Sequence, residues 1–256
     1  MERLIAGAVL AAAFTLAGCA PHAAAKPGRV ITLSVDEAGN RAADADEQKV
    51  LDALKMIQSG RIQLAVDGPL TEVIAKYEAR YAGRPGKVYC AEGMPDALYY
   101  AGAAAVADKA PGGQADASVE VIGPAWARAY WARGYAYSEM GRYADARVEL
   151  EKALALSPMN SQYKSELAFT YERSRDWEKM LALYKEAQDA AAISGGPERG
   201  PDLECTALRG QGYALVELHR LDEATRAYQD CLKLKPGEPR SLGELGYIRD
   251  LRARPH

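Results

Sequence analysis

Two stretches of the chain, headed by Gly134 and Gly212, match position for position. Twelve residues after each glycine stands an alanine, Ala146 or Ala224, and twenty-four residues after it a proline, Pro158 or Pro236. Leu150 and Ala153 in the first stretch correspond to Tyr228 and Cys231 in the second. A third copy starts at Ala168, 34 residues after Gly134, with Tyr171, Met180, Tyr184 and Ala187 at the same offsets. Gly246 lies 34 residues after Gly212. The step from Ala168 to Gly212 is 44 residues, and the Gly195-Gly196-Pro197-Glu198-Arg199-Gly200-Pro201 stretch marks the insertion. A fixed period of this length means one supersecondary unit stacked on copies of itself, because a single unit cannot bury its own apolar face.

The pattern resembles the tetratricopeptide repeat, whose period is 34 residues. That resemblance implies an all-α fold, a right-handed superhelical solenoid of antiparallel helix pairs, preceded here by a flexible tether. In such repeats the glycine and the later alanine are small because the two helices of a unit cross there. Aromatic side chains fill the space beside the crossing, and the proline ends the second helix. The match is full over residues 127–160 and 205–238. It is partial over 161–194, where Ala168 replaces the glycine, Met180 replaces the alanine and the terminal proline is missing. Residues 239–253 resemble the solvating helix that closes an array. Gly60, Ile62 and Ala65 mimic Gly141, Tyr143 and Ala146. The segment before the array is therefore either a degenerate repeat or a separate helical region.

The resemblance also implies a concave face lined by the first helix of each unit, where partners bind. The residue after each crossing residue points into it: Tyr135, Phe169, Tyr213 and Tyr247. Arg128, Trp131 and Arg209 are expected beside them, with Ser138, Glu139, Ser165, Glu172 and Val216 a turn to either side. Aromatic residues supply large contact areas at low entropic cost, so this ladder suits a protein or peptide partner. The competing reading is that the rings pack against neighbouring helices. Carboxylate-clamp repeats carry lysine and asparagine in this groove, and here aromatics and serines stand instead.

Cys205 lies seven residues before Gly212, and Cys231 seven residues after Ala224. On the antiparallel pair that the resemblance implies, these steps reach the same level, so the two cysteines are expected as neighbours and as a disulfide. Cys90 is then left over, either buried and inert or paired with another chain.

At the N-terminus, the apolar run from Leu4 to Leu16 is too short to span a bilayer, which takes about 20 residues, and it reads as a signal-peptide core. It ends in Leu16-Ala17-Gly18-Cys19, which resembles the bacterial lipoprotein box. The resemblance implies cleavage before Cys19, lipidation of its thiol and a membrane-anchored protein facing the periplasm. Ala20, in place of the aspartate that retains enterobacterial lipoproteins at the inner membrane, implies the outer membrane. The expected organisation is a signal peptide at 1–18, a lipidated tether at 19–46, a helical region at 47–123 and the repeat array at 124–256.

Within the tether, residues 30–35 alternate β-branched and polar side chains, which suits a short strand that lacks an obvious partner. In the helical region, Val50, Leu51, Leu54 and Ile57 share one helix face, and Ser59-Gly60 breaks that helix. Leu70, Val73, Ile74, Tyr77 and Tyr81 share another, with a kink expected at Asp67-Gly68-Pro69. Residues 83–86 read as a turn, Pro95 opens a helix to about Asp108, and 110–123 read as a loop.

Acidic and basic residues nearly balance, at a net charge of −3, which argues against nucleic acid as partner. His22, His219 and His256 fall in no cluster with metal-ligand spacing, so no metal is expected, and His219 reads as a surface residue at a helix end. Neither a nucleophile elbow nor a phosphate-binding loop occurs, and no cofactor is implied. The function expected is a non-catalytic interaction scaffold of the bacterial cell envelope. The alternative is an envelope enzyme with its catalytic segment in 47–123 and the repeats as recruitment arm, which would show a polar pocket with perturbed titratable groups there.

Overall fold

A computed structural model describes residues 31–33, 44–108 and 118–253 of the chain. The expected signal peptide, Cys19, His22 and His256 lie outside the described residues, as does most of the tether. Among the described residues no helix is long and apolar enough to cross a membrane.

The C-terminal half is the expected array of antiparallel helix pairs: α5 (Ala125–Glu139) with α6 (Tyr143–Leu156), α7 (Ser161–Phe169) with the first arm of α8 (Trp177–Glu217), and the second arm of α8 with α9 (Leu221–Leu234). The last helix, α10 (Pro239–Ala253), closes the stack and buries Ile248. The crossings show why the repeat needs small residues. A Cβ on Gly134 would stand 2.8 Å from Leu150 Cγ, and one on Gly212 would stand 2.5 Å from the Tyr228 ring. Ala168 takes the same place in the middle unit and is fully buried. One apolar cluster then runs through all the units, from Ala146 and Leu150 by way of Ala168, Met180 and Leu215 to Tyr228 and Ile248.

The ten inserted residues do not form a loop. Gly196 alone leaves the helical backbone, at φ 58° and ψ −162°, so α8 is two helices joined at a kink. The insertion lengthens both arms, which meet where Gly200 approaches the Ala191 carbonyl. Glycine at 195 and 200 permits that approach, because a Cβ on Gly195 would stand 2.5 Å from the Gly200 nitrogen.

Ahead of the array, α1 (Ala45–Gln58) is capped by the Asp44 carboxylate, which accepts from the Glu47 amide at 2.7 Å. The next helix bends. Its α2 (Ile62–Ala65) and α3 (Thr71–Tyr81) portions are joined by a π-helical turn at Val66–Leu70, where Pro69 offers no N–H. The Thr71 hydroxyl donates to the Val66 carbonyl at 2.7 Å and satisfies it. Val50, Ala53 and Ile57 of α1, with Val73, Ile74 and Tyr77 of α3, form a core with Ala129, Tyr130 and Ala136 of α5.

The sheet departs from the expected reading. Residues 119–122, expected in a loop, form β3 (Val119–Ile122), flanked in parallel by β1 (Ile31–Leu33) and β2 (Lys87–Cys90). The crossover from β2 to β3 carries α4 (Met94–Asp108), and Tyr100, Ala97 and Ala104 of α4 cover Val119 and Val121. Strands of three or four residues are too short to show a period, so a search for helical period passes over them. The strand inside 30–35 finds its partner across 88 residues of sequence, at Ile31 opposite Val119.

The turn between the helices of a unit has one geometry throughout. At Gly141 (φ 73°) the amide donates to the Ser138 carbonyl at 2.9 Å, and the Arg142 amide donates to Tyr137 at 2.8 Å. The same pair of bonds closes α1 at Gly60 (φ 80°) and the second arm of α8 at His219 (φ 57°). This is a Schellman-type cap, in which the left-handed residue favours glycine. His219 occupies it at a cost of roughly 1 kcal/mol. His219→Gly is accordingly expected to stabilise the protein by about 1 kcal/mol in urea unfolding, and Gly141→Ala to destabilise it by about as much. Equal stability of all three proteins would contradict this reading of the turns.

Candidate functional site

The first helices of successive units bring Tyr135, Phe169, Tyr213 and Tyr247 to equivalent places on α5, α7, the second arm of α8 and α10. Two of them share a cleft. Phe169 and Tyr213 border a space of about 580 Å³ completed by Tyr143, Trp177, Glu172, Glu217, Arg173 and Arg175. Phe169 is 39% exposed and meets Tyr143 edge-on at 6.4 Å. Trp177 meets Tyr213 edge-on at 5.9 Å. The Tyr213 hydroxyl donates to Glu172 at 3.2 Å. Burial and the nearby Glu172, Glu217 and Glu244 push that hydroxyl up to about 12, so Tyr213 stays a donor at physiological pH.

Tyr135 is half-buried and stacks on Trp131 at 6.2 Å, and Trp131 stacks on Tyr163 at 5.8 Å. These rings pack on one another. Burial, then Glu139 and Glu166, raise the Tyr135 hydroxyl above its ordinary value. Tyr247 is 47% exposed on α10. Ser138 and Val216 are buried, and Ser165 is half-buried.

The two arginines expected in the groove are held within the chain. Arg128 pairs with Glu47 of α1 at 2.5 Å and with Glu92 between β2 and α4. Glu92 also accepts from the Tyr163 hydroxyl at 3.1 Å. Arg209 pairs with Glu238 at 3.2 Å. Tyr143 and Trp177, which sequence reasoning missed, occupy equivalent repeat positions 34 residues apart, and that recurrence of aromatics was a usable signal. Glu166 was missed as well. It is half-buried, and burial together with the Glu139 charge pushes its carboxyl up to about 7.

Cys205 and Cys231 are brought to disulfide distance, with Cα atoms 4.4 Å apart, as antiparallel packing requires. Glu238 lies beside them, its carboxylate held by Arg209 and by the Ser241 amide at 2.7 Å. Cys90 is fully buried, and burial pushes its thiol up to about 12, which leaves it unreactive. Non-reducing peptide mapping should therefore recover Cys205 linked to Cys231 and Cys90 free. Reduction should cost about 3 kcal/mol, from the chain entropy of the 26-residue separation. Recovery of both cysteines as free thiols from oxidised protein would overturn the pairing.

Comparison with known proteins bears on the array. Residues 127–160 match the tetratricopeptide repeat family. Cellulose synthase 2 operon protein C of Komagataeibacter xylinus is 27% identical over 116 residues, which cover 41% of this chain. The match spans 9% of that relative's length. Among solved structures, MamA AMB-1 is 17% identical over 82% of this chain and 83% of its own, at a TM-score of 0.46. The first repeat domain of Spaghetti (RPAP3), bound to an HSP90 peptide, is 22% identical over 50% of this chain and 94% of its own, at a TM-score of 0.44. Residues 127–160 thus form a tetratricopeptide repeat at the head of helix pairs built the same way.

Proposed function

We propose that this protein is a non-catalytic interaction scaffold of the bacterial cell envelope, which takes a protein or peptide partner in the groove walled by Phe169 and Tyr213. The cleft carries the reading: four aromatic side chains, Tyr143, Phe169, Trp177 and Tyr213, converge on one open space between consecutive units. Rigid aromatic walls give an extended chain contact area without much loss of side-chain entropy. The envelope assignment rests on the resemblance of Leu16-Ala17-Gly18-Cys19 to a lipoprotein box. The partial match to a cellulose synthase operon protein supports it. In this reading, lipidated Cys19 holds the scaffold at the outer membrane, facing the periplasm, and the array gathers a partner there.

The alternative of a catalytic segment in 47–123 gains no support from the titratable groups buried there. Asp96 is raised by burial, yet both its oxygens accept amides, from Glu92 at 2.7 Å and Gly93 at 2.9 Å, and so cap α4. The Tyr100 hydroxyl accepts the Met159 amide at 3.3 Å.

Co-purification from detergent-solubilised membranes tests the groove. Phe169→Ala and Tyr213→Ala should each lower recovery of the partner at least tenfold, as expected for hot-spot aromatics that contribute about 2 kcal/mol. A partner set unchanged by both substitutions would refute binding in this groove.

A further inference from the structure

Helix α4 turns an uncharged face outward. At 100° per residue, Ala105, Leu98, Gly102, Val106, Tyr99 and Ala103 follow one another across a single stripe of about 160°, and all six are exposed. Leu98 is 56% exposed, Tyr99 43% and Val106 72%. The opposite face holds Ala97, Tyr100 and Ala104, which cover the sheet. The one charged residue between Met94 and Val106 is Asp96, which is buried and accepts the Glu92 and Gly93 amides. Leu33, 44% exposed, ends β1 on the same side of the sheet, since Ile31, two residues earlier, packs against the α4 cluster. A helix face turned to water in this protein is different: α9 exposes Asp222, Arg226, Gln229 and Lys233. Other exposed apolar side chains stand singly, as Leu64 does on α2 and Val148 on α6. A contiguous apolar stripe marks an interaction surface.

Whatever covers this stripe must supply apolar surface. The adjoining stretches of the chain are poor in it: residues 20–30, 34–43 and 109–117 contain no Leu, Ile, Met, Phe, Tyr or Trp, and two valines, Val30 and Val35. Position selects the occupant. Ile31 of β1 lies twelve residues after Cys19, and a fully extended stretch of that length reaches about 40 Å. β1 is an edge strand of the sheet that α4 covers. Lipid on Cys19 would therefore hold α4 within about 40 Å of the bilayer. With 15 residues, α4 is about 22 Å long, too short to span a bilayer and suited to lying in its interface. Tyr99 fits the same place, because tyrosine collects where an apolar body meets lipid and a hydroxyl meets water.

We infer that the exposed stripe of α4 lies in the surface of the membrane that holds the Cys19 lipids, with Leu98 and Val106 among the acyl chains and Tyr99 at the headgroups. This rests on the lipid-anchor reading above and adds a second contact to it. The anchor raises the local concentration of lipid at α4, so a modest apolar stripe is enough to stay bound. The two contacts together fix the attitude of the array on the membrane, where a tether alone would let it tumble.

The test uses the full chain, purified from membranes and reconstituted in vesicles of phosphatidylethanolamine and phosphatidylglycerol, with a nitrobenzoxadiazole probe on one introduced cysteine. Cys90 is buried and Cys205 and Cys231 are paired, so the introduced thiol is the one that reacts. The probe sits at Leu98→Cys or Val106→Cys, with Leu242→Cys, 51% exposed on α10, as the control. A nitroxide carried on the lipid acyl chains then quenches what touches them. Probes at both α4 sites, seated roughly 5–10 Å into the leaflet, should be quenched several-fold, and the control should keep its emission. Leu98→Glu with Val106→Glu, both at exposed sites, should leave the circular dichroism unchanged and abolish quenching of a probe at Tyr99→Cys. Equal quenching at the α4 sites and the control would overturn the inference. So would a dimer in detergent that the two glutamates dissociate, since a second copy would then cover the stripe. Labelled palmitate separates this inference from the anchor it rests on. Incorporation without quenching leaves the anchor standing and removes the membrane face, and lack of incorporation removes both.

Discussion

The architecture depends on how closely two helices approach at the crossing inside each unit. Gly134 lies under Leu150 and Gly212 under Tyr228, with no room for a methyl group in either place. That approach sets the angle of the pair, and the left-handed turns at Gly141, Arg175 and His219 return the chain at a fixed point. With angle and return fixed, each unit presents the same face to the next, and one apolar cluster runs through the stack. The disulfide-distance pair Cys205 and Cys231 joins the two helices of the third unit at a second level. The aromatic side chains that follow the crossing residues fall on one face as a consequence of the same geometry.

The region ahead of the array is tied to its first units. Arg128 links α5 to α1 through Glu47 and to the β2–α4 junction through Glu92, and Glu92 reaches on to Tyr163 of α7. The Ser157 hydroxyl donates to the Cys90 carbonyl at 2.7 Å and binds the sheet to the end of α6. These contacts are buried or partly buried, and the groups they join are far apart in sequence, so the N-terminal helices and the sheet form part of the array's foundation. The aromatic cleft lies farther along, between the second and third units, where no such contacts fill it.

The repeat was legible because its period is long, its small residues are obligatory and its offsets recur. The helices α1 and α3 were legible from their apolar faces, and the bend at Pro69 from the missing N–H. The strand inside 30–35 was legible, but its parallel partners β2 and β3 were not, since four residues are too few to show a period and the pairing leaves no local trace. The insertion was legible from its glycines and prolines, yet only Gly196 departs from helix. Repeat position brings Phe169 and Tyr213 to one cleft. It gave no sign that Arg128 and Arg209 would be engaged by acids from other elements, because a pairing across 81 residues leaves no local trace.

A scaffold of this kind works by leaving one face unsatisfied while the rest of the chain satisfies itself. In the proposed scaffold, the cleft bordered by Tyr143, Phe169, Trp177 and Tyr213 is the surface that a partner covers. Hydrogen–deuterium exchange of the full chain, alone and with its co-purified partner, tests that most directly. Slowed exchange over residues 165–173 and 209–217, with α6 and α9 unaltered, is the predicted result. Protection confined to α4 or to the outer faces of α6 and α9 would contradict a groove-binding scaffold.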